Sequence, residues 1–218
     1  MNEIKAIFEK KLNMGINFKI LLKKFTRPTT LISLGLLFFI IFCAICAPIL
    51  APTNPYDLKV VSILDSRLSP GDQMLNGTIA WLGTDGAGRD VLSAMIFGLR
   101  TSLIVAFSSA LIALTVGLFV GLISGFYGGK IDAFLMRIVD IQLSFPAILV
   151  ALVLLALLGK GIDKVIIALA IVQWAIYART VRAAAIVERN KEYIEAATCL
   201  GLSNFFIIWK HLLPNSIS

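Results

Sequence analysis

Leu82 to Leu103, LGTDGAGRDVLSAMIFGLRTSL, sets Gly83, Thr84, Gly86 and Gly88 among the charges of Asp85, Arg89 and Asp90. Glycines in that pattern permit a tight turn, which ion pairs among Asp85, Arg89 and Asp90 would lock. Phosphate binding is excluded, because no GK[ST] follows the glycines, and a calcium loop would need EF-hand spacing and a terminal Glu. A second charged group, Asp132, Arg137 and Asp140, falls in an otherwise apolar stretch, with Arg137 five residues from Asp132 and three from Asp140. That spacing allows pairing along one helix, either as a snorkelling start of a membrane helix or as groups that meet a substrate. Catalysis inside a membrane would require a nucleophile with its base, or a metal set, at matched depth; no Ser with His and no paired His is found. His211 is the only histidine and has no Cys, Asp or Glu at ligand spacing, so it reads as a packing or capping residue. Cys43 and Cys46 have CxxC spacing without a second pair, and read as small apolar side chains in a helix. No catalytic residue and no metal site is expected.

The elements that carry these groups are membrane helices. The 218-residue chain is 58% hydrophobic with a mean hydropathy of +0.90, and only 15% of it is charged, against roughly 25% in soluble domains. The net charge of +7 is unevenly spread, a topology signal rather than a nucleic-acid footprint. Residues 1–28 hold Lys5, Lys10, Lys11, Lys19, Lys23, Lys24 and Arg27 against Glu3 and Glu9, which predicts a cytoplasmic N-terminus. Phe8, Leu12, Phe18, Leu21, Leu22 and Phe25 would also let this segment lie on anionic lipid. A first uncharged span is predicted over 29–51, too long for the apolar core of a signal peptide. Residues 52–100 are turn-rich and acidic, as an external loop should be.

Three further spans are predicted over about 101–127, 131–158 and 165–185. In the first of these, Ser109, Ala113, Gly117, Gly121 and Gly125 recur every four residues and make a flat ridge for close helix packing. Pro146 falls inside the next and permits a kink. In the last, the uncharged stretch stops short, so Arg179 and Arg182 must snorkel. Four crossings from a cytoplasmic start return residues 188–215 to the cytoplasm.

That returning stretch is a helix, a corner and a second helix. Good helix formers run to Leu200, Gly201 ends the first helix, Ser203 can cap the second, and Pro214 discourages its continuation. Ala196 and Ala197 allow a partner to approach closely, and Glu195 can pair with a basic group, a form suited to docking in a groove. Composition alone favours an ordinary amphipathic surface helix.

Glu195, Ala196, Ala197, then Gly201, then His211, Leu212, Leu213 and Pro214 resemble the EAA loop of binding-protein-dependent ABC importer permeases. His211 in place of the usual Ile, followed by Leu213, Pro214 and Asn215, looks like the peptide and nickel branch. Leu82 to Leu103 resembles the LGTDxxGRDVLSRLIxGxRxSL signature of the C-type permease subunit in dipeptide, oligopeptide and nickel importers. Gly83, Thr84, Asp85, Gly88, Arg89, Asp90, Gly98 and Arg100 match it, whereas Ala94 departs. The resemblance implies an all-α, polytopic transmembrane bundle of the MetI-like kind, in the inner or plasma membrane. It implies import of di- or oligopeptides, with nickel as the alternative substrate; a non-transporting scaffold built on the glycine ridge is the reading from another class.

Further implications concern roles and partners. Glu192, Glu195, Ala196, Ala197, Gly201, His211, Leu213 and Pro214 would form the ATPase-coupling loop. Asp140, Ser144 and Pro146 are the candidates for the translocation path. The partners implied are a homologous permease, two ABC ATPase subunits, an external substrate-binding protein and the lipid bilayer, with no nucleic acid. The chain would bind no cofactor, since it has no Walker A sequence; ATP and Mg would be used by the partners. Two more spans are implied beyond Ser218, as for a fragment or a truncated gene product.

Overall fold

A computed structural model of the chain describes residues 27–57 and 59–216. The basic N-terminal segment and its amphipathic face lie outside them, apart from Arg27 and Pro28. The described residues are helical, with only two isolated β-bridges, Gln73 with Ile79 and Thr84 with Asp90. The chain forms two compact units that divide between Leu103 and Ile104.

The first unit opens with α1, Pro28–Ile45, whose proline sits in the first turn, where its missing N–H costs nothing. Only Ala44 of α1 is buried, so the leucines and phenylalanines along its length are left for lipid. A single turn, α2 (Ala47–Leu50), follows, and then the turn-rich stretch that contains one 3-10 turn, Ile63–Asp65. The unit closes with the start of α3, Val91–Tyr127. The span expected at 101–127 is thus the later part of a helix of 37 residues that starts at Val91, about 55 Å long.

The second unit comprises the rest of α3 and everything after it. Gly128 and Gly129, both at positive φ, turn the chain into α4, Gly129–Ser144. The single span expected at 131–158 is instead two helices, α4 and α5 (Ala147–Leu158), bent by 88°. Pro146 has no N–H to give the ladder, and it forces Phe145 into extended backbone at φ −94°, ψ 141°. α6, Ile162–Arg189, is longer than the stretch expected for it and runs on to its last basic residue. Among the described residues three helices, α1, α3 and α6, are long and apolar enough to cross a membrane, and the bent pair makes four if it counts as one crossing.

The core of this unit lies on α6. Ala175 and Ala178 take Val139 of α4 between them, with Val120, Met136 and Trp174 around it. Ala185 meets Leu122 of α3 and, from beyond the corner, Ile208 and Leu212. After α6 come α7 (Glu192–Cys199), the one-turn α8 (Asn204–Phe206), a π-helical segment (Ile207–Leu212) and α9 (Leu213–Ser216).

Candidate functional site

In the first unit, Leu82–Asp90 is a turn held by its own polar groups. Gly83 (φ +77°) and Gly88 (φ +79°) are left-handed, and a Cβ on Gly88 would stand 1.8 Å from the Ser62 carbonyl oxygen, so no other residue fits there. Thr84 Oγ1 donates to the Asp65 carbonyl and accepts the Leu68 amide at 2.8 Å. Asp85 Oδ1 accepts the amides of Ala87 (2.8 Å) and Arg89 (3.0 Å), and Arg89 Nε lies 3.1 Å from Asp85 Oδ2. Partial burial works to raise the Asp85 pKa, but the two amides and the Arg89 charge outweigh it and hold it below the usual carboxylate value. Asp90 does not join this ion pair. It is buried at the start of α3, where Oδ2 accepts the Ser93 amide at 2.8 Å and the Ser93 hydroxyl at 2.5 Å, an N-cap. Arg100 is exposed on α3.

In the second unit the small-residue ridge of α3 lies against α6. A Cβ on Gly117 would meet Tyr177 Cβ at 2.5 Å, one on Gly121 the Ala178 carbonyl at 2.6 Å, and one on Gly125 Ala185 Cβ at 2.6 Å. Ser109 and Ala113 are buried along the same ridge. Such contact between backbones is open only to glycine.

The charges of α4 are paired across helices. The expected pairing of Arg137 with Asp132 or Asp140 is not made; Asp132 holds Arg182 of α6, and Asp140 holds Arg179 of α6. Arg182 Nε is 2.5 Å from Asp132 Oδ1 and Nη2 is 2.6 Å from Oδ2, while Ser124 of α3 donates a short hydrogen bond to Oδ1. Packing of Val139 between Ala175 and Ala178 brings α4 and α6 into this register, and a two-pronged guanidinium pair satisfies both oxygens at once. Asp140 and Arg179 leave over half of their side-chain surface exposed, 57% and 54%. Ser144 Oγ donates to the Asp140 carbonyl at 2.7 Å, one turn before the Pro146 break.

The corner brings together the residues of the last part of the chain. Gly201 adopts φ +75° after α7, and Ser203 Oγ accepts the Phe206 amide at 3.3 Å to cap α8. α7 turns Ile194 and Ala197 inward against Ile207 and Phe126, leaving Glu192, Glu195 and Ala196 exposed. A cleft of about 740 Å³ opens beside it, lined by Phe126, Tyr127, Arg189, Ile194, Glu195, Thr198, Cys199 and Asn204 among others. His211 is half-buried against Phe206, ring centroids 5.7 Å apart, with Tyr193 at 6.4 Å; Leu213 is half-buried and Pro214 exposed. The segment that bears His211 is a π-helix, a rare form frequently found at functional sites. Among the described residues no three His, Cys, Asp or Glu side chains converge as metal ligands.

Sequence reasoning gave no role to Glu188 or Tyr193, and Asn215 entered it only as part of the resemblance. Glu188 is buried at the end of α6, and the Tyr193 hydroxyl donates to it. Burial, and then the charge and hydrogen bond of Glu188, push the Tyr193 hydroxyl up to about 12, so it stays a donor throughout the neutral range. An acidic residue in the last turn of a helix, against the helix dipole, was the signal available in the sequence.

Apolar helices joined by close glycine packing, cross-helix ion pairs and an exposed helical corner define a polytopic membrane protein of the all-α kind. Residues 117–218 match the family of binding-protein-dependent transport system inner membrane components, and the chain belongs to that family. It is 37% identical over 187 residues to a di/tripeptide transport system permease protein of Pseudomonas aeruginosa, covering 84% of this chain and 60% of that protein. It is 44% identical over 138 residues to a dipeptide transport system permease protein of Alkalihalophilus pseudofirmus (63% and 45%). With a glutathione transport system permease protein of Pectobacterium atrosepticum it shares 37% identity over 164 residues (75% and 53%). The chain spans about half the length of these curated relatives.

Proposed function

We propose that this chain is a permease subunit of an ATP-driven importer of di- or oligopeptides, and that its corner receives the motion of partner ATPases. The observation that carries this reading is the corner itself. A helix–glycine–helix element inside the family-matched region exposes Glu192, Glu195 and Ala196 beside a cleft of about 740 Å³, a form suited to receiving a partner's surface. The far side of α7 and the π segment are packed into α3 and α6 through Phe126, Leu122 and Ala185. Displacement of Glu195, Ala197, Gly201 or the His211–Pro214 end therefore reaches the membrane helices, as alternating access requires.

The partners are two ABC ATPases, which use ATP and Mg, a homologous permease and an external binding protein. The N-terminus and the corner face the cytoplasm, and Leu82–Leu103 faces outward. Asp140 and Ser144 line the path beside the Pro146 bend. Support for that assignment is the half-exposed Asp140–Arg179 pair, since charges on membrane helices face a water-filled cavity or other protein rather than lipid. Peptides are favoured over nickel because the three relatives are permease proteins of di/tripeptide, dipeptide and glutathione transport systems.

The test is co-expression of the full-length gene product with the neighbouring transporter genes, purification, and uptake of labelled dipeptide into proteoliposomes. ATPases and a sister permease should co-purify, and Glu195→Ala and Gly201→Ala complexes should hydrolyse ATP without matching uptake. Normal uptake by both variants would sink the coupling role; nickel uptake without peptide uptake would replace the substrate class.

A further inference from the structure

Glu188 is an anomaly of placement. It lies in the last turn of α6, where the helix dipole disfavours negative charge, and it is only 5% exposed, where a lone carboxylate is costly. Both of its oxygens are nevertheless partnered, and both partners come from the chain beyond α6. Tyr193 in the first turn of α7 donates its hydroxyl to Oε1, and Lys191 Nζ lies 2.7 Å from Oε2. Lys191 fastens only the junction itself, whereas the Tyr193 bond fastens α7 to the end of α6. The Asn215 side chain of α9 acts on the Tyr193 hydroxyl, and Asn215 Nδ2 donates to the His211 carbonyl at 2.7 Å. One buried carboxylate thus ties the end of α6 to both arms of the corner.

We infer that Tyr193 and Glu188 are the positioning pair that makes α7 move with α6, so that a push on the corner is delivered to the membrane helix rather than absorbed at Asn190 and Lys191. The inference rests on the permease reading. Apolar packing of α7 involves Ile194 and Ala197 against Phe126 and Ile207, none of which belongs to α6. Without the Tyr193–Glu188 bond, α7 is related to the end of α6 by the Glu188–Lys191 contacts at the junction and, indirectly, by packing on α3 and on the π segment, whose Ile208 and Leu212 meet Ala185.

The assembled transporter in proteoliposomes tests this with Tyr193→Phe, which keeps the ring against His211 and removes only the hydroxyl. Amide exchange in α7 should rise at least about tenfold, as expected for loss of a hydrogen bond to a charged group, and peptide moved per ATP should fall at least roughly threefold. Glu188→Ala should do the same, and Glu188→Gln, which keeps an acceptor for Tyr193, should restore most of both readouts. If Glu188→Ala does not assemble, Tyr193→Phe decides alone. Wild-type peptide-per-ATP in Tyr193→Phe, whether or not α7 exchange rises, would overturn the inference while leaving the permease reading intact. Absence of ATP-driven uptake by the unaltered complex would instead overturn that reading, and the inference with it.

Discussion

Arg182 of α6 grips Asp132 of α4 with two prongs, Nε to Oδ1 at 2.5 Å and Nη2 to Oδ2 at 2.6 Å, and Ser124 of α3 completes the group. One carboxylate therefore fastens three helices. The side chains are 31% and 18% exposed, so the pair is shielded without being sealed. Replacing Arg182 by Lys keeps the charge and loses the fork, whereas Asp132→Ala leaves a half-buried guanidinium unpaired. Asp132→Ala should cost about 2–3 kcal/mol and Arg182→Lys about 1 kcal/mol, read as thermal stability in detergent. The double variant should cost less than the two single costs added, and strict additivity would show that the two groups do not couple.

Gly121 is one of three points where α3 has no room for a side chain. A methyl group there would need to lie 2.6 Å from the Ala178 carbonyl and 2.7 Å from Val181 Cβ, both on α6. Gly121→Ala should therefore force the helices apart at a cost of about 1–3 kcal/mol. Gly35→Ala in α1, where nothing lies within 4 Å, should be neutral or stabilising by up to about 1 kcal/mol through better helix propensity. Equal melting temperatures for the two variants would contradict close packing of α3 on α6.

Acid should loosen the Leu82–Asp90 turn. The Asp85 pKa is lower in the folded chain than its ordinary value of 3.8, because the Ala87 and Arg89 amides and the Arg89 charge outweigh the opposing effect of burial. A depressed carboxylate contributes stability that is fully present above its unfolded pKa and is lost as pH falls through the folded one. Protease resistance of this turn should hold at neutral pH and fall below about pH 4. Asp85→Asn should start lower at pH 7 and lose the part of the acid dependence owed to this group; an unchanged acid profile would remove Asp85 from the account.

Much of this protein is local in origin and so was open to reading from the order of residues. Helix length and apolarity are properties of a segment, as are the Gly201 corner, the Ser203 cap and the four-residue period of small side chains from Ser109 to Gly125. Pro146 likewise announces a break, since its missing N–H and its effect on Phe145 need no neighbours. Partner choice is not local. Arg137 sits within reach of Asp132 and Asp140 along α4, yet both carboxylates turn to Arg182 and Arg179. The size of the bend at Pro146, 88°, and the meeting of Glu188 with Tyr193 are of the same kind. Spacing along a helix shows which charges can meet on that helix; only the packing of Val139 between Ala175 and Ala178 sets the register that brings charges from two helices within hydrogen-bond distance.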